Sequence, residues 1–310
     1  MNPAASDASQ ERAAPRRQRW DLERRQARCA VLLVLPAGLM LLLFIAYPIV
    51  YSLLLTFSTF TIQQVKWFDA GLSNYRGVLA DSTFRAALWF TLAYTLVWVV
   101  LSIGLALLVG VLLQQIRIGA TFFRSMLFLP TVVPVTMGFL MFQWILDPNN
   151  GILNYVLREL GWSELALNWL SDKDTVFGAI VAVTLWGFGP WILLLAGLLA
   201  IPRDFYEAAR VDGASLTREF VHITLPQLRT TLMVVVTLQV ITALKVFVPI
   251  YVLTSGGPAN ASMSLYFLVF QKINQYQLAY ATTVGWVFTL IVTVIAIGTA
   301  VAFRVRREAA

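Results

Sequence analysis

Charge is scarce in this chain. Only 13% of its 310 residues are Asp, Glu, Lys or Arg, against 59% hydrophobic, and the mean hydropathy is +0.74. A soluble protein of this size needs far more polar surface to cover itself, so that class is excluded. The single cysteine, Cys29, rules out an intrachain disulfide framework and any multi-cysteine metal site. The single histidine, His222, rules out an HExxH zinc pair, and no motif marks a nucleophile that could join it in a triad. There are four lysines, Lys66, Lys173, Lys245 and Lys272, and none follows a glycine. The chain therefore lacks the G-x-x-x-x-G-K-[ST] loop that cradles nucleotide phosphates. No Asp or Glu falls inside the long apolar runs, where an ion-coupled secondary transporter usually keeps its coupling residues. No cofactor and no chemistry of its own are expected.

What is present is membrane. Six apolar runs fit the roughly 20 residues needed to cross a bilayer core of about 30 Å: Ala30–Phe57, Ala86–Leu113, Phe122–Leu146, Thr175–Leu199, Thr230–Leu253 and Ala279–Phe303. Alternating segments of about ten residues, the mark of a β-barrel, are absent. The expected class is an all-α membrane protein of six transmembrane helices. Arginine and lysine divide unevenly between its two sides. Sixteen, all arginine, lie on the side of the N-terminus and six on the other, with Lys245 inside a run. The positive-inside rule places both termini in the cytoplasm. The net charge of +7 thus reflects topology and contact with anionic lipid, and no nucleic acid is expected. Residues 1–29 read as a cytoplasmic tail, since the apolar run that follows is too long for a signal-peptide core. Residues 30–303 form one membrane domain, and 304–310 a second cytoplasmic tail.

Two runs are interrupted. FLPTVVPV carries Pro130 and Pro134, and WGFGPW carries Gly187, Gly189 and Pro190. Each proline removes a backbone donor, so the third run should kink. Irregular backbone at that depth is tolerated only inside protein or beside a watery cavity. Close helix packing through small residues and a translocation path both fit these breaks. On the outside, GLSNYRGVL suggests a short helix around Tyr75. The longest external loop, Asp147–Asp174, opens with the turn-rich DPNNG, and its Trp162 and Trp169 suit an interface belt.

Between the fourth and fifth runs lies a polar insert, residues 202–226. Pro202 suits a helix start, with Asp204 and Glu207 near the positive end of the dipole. Gly213 suits a left-handed stop after Val211, and Ser215 can cap a second helix over Leu216–Ile223. The result is a helix, a glycine turn and a helix. Ala208 and Ala209 leave one side flat, with Glu207, Arg210, Asp212 and Arg218 around it. The run EAARVDGASLTREFVHITLP resembles the EAA motif of permease subunits in binding-protein-dependent ABC importers, which reads E-A-A, a gap of three, G, a gap of nine, then I-x-L-P. Glu207, Ala208, Ala209, Gly213, Ile223, Leu225 and Pro226 fall on those places. AYPIVYSLLLTF, the SNY segment, FLPTVVP and YVLTSGGP extend the likeness to the sugar-import branch, which includes maltose, lactose and glycerol-phosphate permeases.

That resemblance implies a type I importer permease in the bacterial plasma membrane. Its partners would be a second homologous permease, two cytoplasmic ATPase subunits and an extracytoplasmic substrate-binding protein, with a sugar as cargo. The insert would be the coupling element seated in an ATPase, through Glu207, Ala208, Ala209, Arg210, Asp212, Gly213 and Ala214. On physical grounds, apart from the resemblance, Asp212 is a second polar contact there, and Phe220 and Ile223 would anchor the insert to the permease. The resemblance also points to Thr131, Leu185, Trp186, Gly189, Thr242 and Val246 along the substrate path. Trp186 suits both stacking on a sugar and plain packing. Lys245, with Gln239 and Thr242 on one arc of the fifth run, lines a cavity or snorkels toward the outer interface. A secondary transporter working alone is the competing reading.

Overall fold

In a hydrocarbon solvent every backbone N–H and C=O must find its partner within its own segment, so apolar runs become helices. The computed structural model describes residues 30–116, 118–187 and 189–308. The arginine-rich leader with Cys29, Arg117 in the expected cytoplasmic turn, and residues 309–310 of the C-terminal tail lie outside the described residues.

Helix α1 (Ala30–Leu55) is apolar on every face. It carries a single π turn at Leu42–Ala46, where the Tyr47 N–H donates to Leu42 O, five residues back. Pro48 explains the turn: its ring would clash with the carbonyl four residues earlier, and widening the helix just upstream relieves that contact. After α1, strands β1 (Thr59–Phe60) and β2 (Val65–Lys66) form a short antiparallel hairpin. The expected helix around Tyr75 is present as α2 (Ser73–Ala80). Asn74 Nδ2 donates to the carbonyls of Thr56 and Ser58, and Tyr75 OH donates to Thr56 Oγ1.

Helix α3 (Ser82–Gln115) is the spine of the domain, and Asp81 caps it by accepting the Thr83 N–H at 2.7 Å. The third apolar run is two helices, α4 (Ala120–Val132) and α5 (Val135–Ile145), bent by 92°. A kink in one span was the expectation; the break is sharper. Pro130 stays inside α4, whereas Pro134 stands at the N-cap of α5 and ends the first helix. The loop expected on the outside contains α6 (Ile152–Glu159) and is ordered around buried Asn154. That side chain donates to Pro148 O and Leu167 O and accepts the Trp169 indole N–H at 2.7 Å. Trp169 is thus turned inward, while Trp162 is exposed.

The fourth run is also divided, into α7 (Lys173–Leu185) and α8 (Trp191–Leu199). At a rise of roughly 1.5 Å per residue neither crosses a core of about 30 Å alone. The polar insert follows as α9 (Arg203–Val211) and α10 (Leu216–Glu219). The fifth run is α11 (Arg229–Leu244) and α12 (Val248–Leu253), then α13 (Leu265–Asn274) and the long α14 (Leu278–Glu308). Among the described residues, four helices are long and apolar enough to cross a membrane, or five if α4 and α5 count as one span. The chain is a mostly helical membrane protein.

Residues Leu55 onward share a core. Helix α3 packs against α8 and α11, α13 against α14, and α12 against α5. The main cluster includes Phe84, Phe90, Ile180, Leu244, Ile250 and Leu268. A separate cluster of Leu198, Ile201 and Leu228 lies beneath the insert, with Tyr206 packed on it. Two glycines allow the close approach there. A Cβ at Gly110 would stand 2.9 Å from Leu198 Cδ1, and one at Gly197 would stand 2.8 Å from Thr231 Oγ1. Small residues let helices meet backbone to backbone.

Candidate functional site: a braced insert and three broken helices

The insert is built as a closed hairpin. Pro202 occupies the N-cap of α9, one position earlier than the first-turn place its chemistry suggested, and Asp204 sits in the first turn. At the other end Gly213 adopts φ +75°. The Gly213 N–H donates to Arg210 O at 3.1 Å and the Ala214 N–H to Ala209 O at 2.9 Å. These two bonds make a Schellman stop, which satisfies the last carbonyls of α9 and requires a left-handed residue. Ser215 Oγ then accepts the Arg218 N–H at 3.4 Å, capping α10.

The second limb differs from the expected plain helix over Leu216–Ile223. After Glu219 it widens into a π turn, Phe220–Thr224, where the Leu225 N–H donates to Phe220 O. Pro226 follows two residues after the turn ends, the same relation as Pro48 to the turn in α1. The physical cause is the same: the helix opens by one residue to make room for the proline ring.

Across the glycine turn, Arg210 Nε donates to Glu219 Oε1 at 2.9 Å and Arg210 Nη2 to Glu219 Oε2 at 3.3 Å. This fork-to-carboxylate geometry is the specific form of an Arg ion pair. The Glu219 side chain is buried, with 7% exposed, against 61% for Arg210. The hydrogen bond and charge of Glu219 raise the Arg210 pKa above its ordinary value. Tyr206 and Thr224 hydroxyls add a bond of 3.0 Å between the limbs. Glu219 was not among the residues singled out from sequence. Its signal was faint, an acid nine positions beyond Arg210 on the far side of a glycine stop.

What the hairpin presents outward is Glu207, Ala208, Asp212 and Gly213, all exposed, with Ala209 and Ala214 half-buried. Arg210 is turned back onto Glu219, so its guanidinium braces the hairpin internally. Phe220 and Ile223 are half-buried, while the base proper consists of Leu198, Ile201 and Leu228.

The residues named for a path gather around helix breaks. Trp186 follows the end of α7, and its ring meets Phe142 of α5 edge-on at 5.3 Å between centroids. A Cβ at Gly138 would come within 3.3 Å of the Trp186 ring, so glycine is what lets that indole lie on α5. Helix α12, just beyond the third break, packs on both α5 and α7. Helices flanking the breaks in the third, fourth and fifth runs are therefore packed together. Thr131, Gly189 and Thr242 are exposed, and Leu185 and Gln239 half-buried. Val246 is buried, at 6% exposure. Lys245 is exposed, but it caps the end of α11 and does not sit within a continuous helix.

Comparison with known proteins places the chain in a family. Residues 102–306 match the family described as binding-protein-dependent transport system inner membrane component. The trehalose/maltose transport system permease protein MalF of Thermococcus litoralis is 36% identical over 256 residues, covering 82% of this chain and 86% of the relative. The arabinooligosaccharides transport system permease protein AraP of Bacillus subtilis is 31% identical over 268 residues, covering 84% of each. The sulfoquinovosyl glycerol transport system permease protein SmoG of Agrobacterium fabrum is 33% identical over 271 residues, covering 84% and 85%. In fold, the chain superimposes on a bacterial ABC transporter that imports alginate with a TM-score of 0.79 at 20% identity, covering 93% of this chain and 98% of that one. A braced polar hairpin on a membrane domain, without chemistry of its own, is thus set in a known lineage. The chain belongs to the family of binding-protein-dependent transport system inner membrane components, the non-catalytic permease subunits of ABC importers.

Proposed function

We propose that this chain is one permease of an ATP-driven importer for sugars or related carbohydrates. It forms half of the translocation path and receives force through residues 202–226. The observation that carries this reading is the insert itself: an EAA-spaced hairpin closed by a Schellman stop, with an ion pair across it and a buried base. Such a hairpin moves as a unit, so a push on Glu207, Ala208 and Asp212 travels to α8 and α11 through Leu198 and Leu228. Relatives named for maltose, arabinooligosaccharides and sulfoquinovosyl glycerol support the carbohydrate class. One solved neighbour is a complex with an alginate pentasaccharide-bound periplasmic protein, which supports an extracytoplasmic binding protein as a partner here. A second homologous permease and two ATPase subunits complete the assembly.

In this reading the divided fourth run counts as a sixth crossing, both termini are cytoplasmic, and 1–29 and 304–310 are tails of a 30–303 membrane domain. Gln239 stands within α11, and Thr131, Leu185, Trp186, Gly189, Thr242, Lys245 and Val246 stand at or beside the breaks, where freed backbone and polar side chains suit sugar hydroxyls. The test is co-purification followed by reconstitution. The chain should bring down an ATPase subunit, and a carbohydrate should accumulate in proteoliposomes only when that subunit, the second permease, the binding protein and ATP are all present. Accumulation by the chain alone would overturn the reading.

A further inference from the structure

We propose that the cleft between α3, α4 and the insert is a site for one anionic phospholipid. The cleft encloses about 1510 Å³. Its floor is a single stripe of α3, Gly104, Leu107, Leu108 and Val111, followed by Gln114 and Gln115. Spacings of three and four put these residues on one helix face. With a rise of roughly 1.5 Å per residue, the stripe runs on the order of 16 Å from its apolar end to its amide end.

Beyond the amides the wall becomes basic. Arg124 of α4 and Arg203 of α9 line it, and Arg124 Nε is buried with no hydrogen-bond partner among the described residues. Arg210 and Glu219 also line the cleft but are committed to each other. Arg124 and Arg203 therefore face one remaining carboxylate, Glu207. The Arg124 Nε is itself shut away from the cleft, so the contact would fall to the terminal nitrogens of the two guanidinium groups, natural partners of a phosphate. A ligand that satisfies both ends carries a phosphate on the arginines and a hydrocarbon chain along the leucine stripe. Basic pockets between helices on the cytoplasmic side hold anionic headgroups in this way. The site rests on the proposed orientation, with the insert facing the cytoplasm.

The experiment uses the assembled transporter, stripped of lipid and re-equilibrated with equal amounts of phosphatidylglycerol and phosphatidylcholine, with retained lipid counted by native mass spectrometry. The wild type should keep one phosphatidylglycerol in preference to phosphatidylcholine. Arg124→Gln and Arg203→Gln should each weaken retention about fivefold, and the double variant roughly 30-fold. Arg203 is exposed, so its variant folds even where the Arg124 variant does not. Arg218→Gln, an exposed arginine outside the cleft, should retain the lipid like the wild type. Excess glycerol phosphate should not displace it. Equal retention of both lipids, unaltered retention in the double variant, or displacement by glycerol phosphate would each overturn the lipid site. So would a Leu108→Cys chain that cross-links to the second permease and keeps no lipid. ATPase subunits in the same mass spectra report the proposed function separately, so the two failures are distinguishable.

Discussion

The insert and the α4–α5 pair are both short polar or broken elements in an apolar chain, yet they are built in opposite ways. The insert satisfies its helix ends, pairs a buried carboxylate and stands on three buried side chains. Helix α4 has no buried residue, and a 92° bend separates it from α5. Few buried contacts mean low local stability and easy movement, whereas a capped and braced hairpin resists deformation. On the proposed function the difference would divide the labour: the insert would receive force without bending, and α4–α5 would rearrange when force arrives.

The largest expected effect comes from breaking the receiver. Gly213→Pro forces φ from +75° to about −65° and deletes the N–H that closes the Schellman stop. ATP-dependent uptake in proteoliposomes should fall to background while the chain still inserts. Near-normal uptake would mean the hairpin shape is irrelevant to coupling.

A second, milder break is Glu219→Ala, which leaves Arg210 without its partner. Coupled uptake should drop about tenfold, the order expected for losing a charged hydrogen bond that fixes geometry. The charge swap Arg210→Glu with Glu219→Arg should recover most of it. Failure of the swap, with loss of the ATPase in pull-down, would assign Arg210 to the ATPase contact and remove it from the brace.

Stability gives a third comparison. Gly197→Val places side-chain atoms where a Cβ alone would already be 2.8 Å from Thr231 and 2.9 Å from Leu228. Overpacking of this kind costs roughly 1–3 kcal/mol, so thermal unfolding in detergent should shift down. Gly189→Ala, beside open space at the break, should leave the transition unchanged.

The smallest effect concerns pH. The hydrogen bond from Tyr280 OH to Asp81, 2.5 Å long, holds the Asp81 carboxyl below the usual carboxylate range. A depressed carboxylate stabilises the fold above its unfolded pKa, near 3.8, and that stability is lost as pH falls through the lower folded value. Asp81→Asn should therefore flatten the acid side of an unfolding profile below about pH 4 and lower stability at pH 7, where the wild-type carboxylate contributes in full. An identical acid profile in the variant would show that the bond carries no linkage.

Much of this was legible in the sequence because the signals are local. Gly213 and Ser215 announce a stop and a cap wherever they fall, and the apolar runs announce helices. The π turns were equally local but went unread: A-Y-P and T-L-P each place a proline two residues after a turn that widens, whereas Pro130 sits in regular α4. Arg210 was legible as part of the insert, yet its partner Glu219 is met only when the glycine turn folds the two limbs together. Val246 and Lys245 could not be assigned from periodicity, since α11 stops at Leu244 and the helical phase is lost there. Trp186 needed Gly138, 48 positions earlier, to show where its ring rests. Contacts made across such separations leave no period to read.

The most direct test is a cross-link at the outward face of α9. In a Cys29→Ser background, Ala208→Cys in the assembled transporter should form an adduct with an ATPase subunit through a short bifunctional reagent, and a cysteine at Ser73 should not. Absence of the Ala208 adduct, or equal adducts at both positions, would contradict the claim that force enters through the insert.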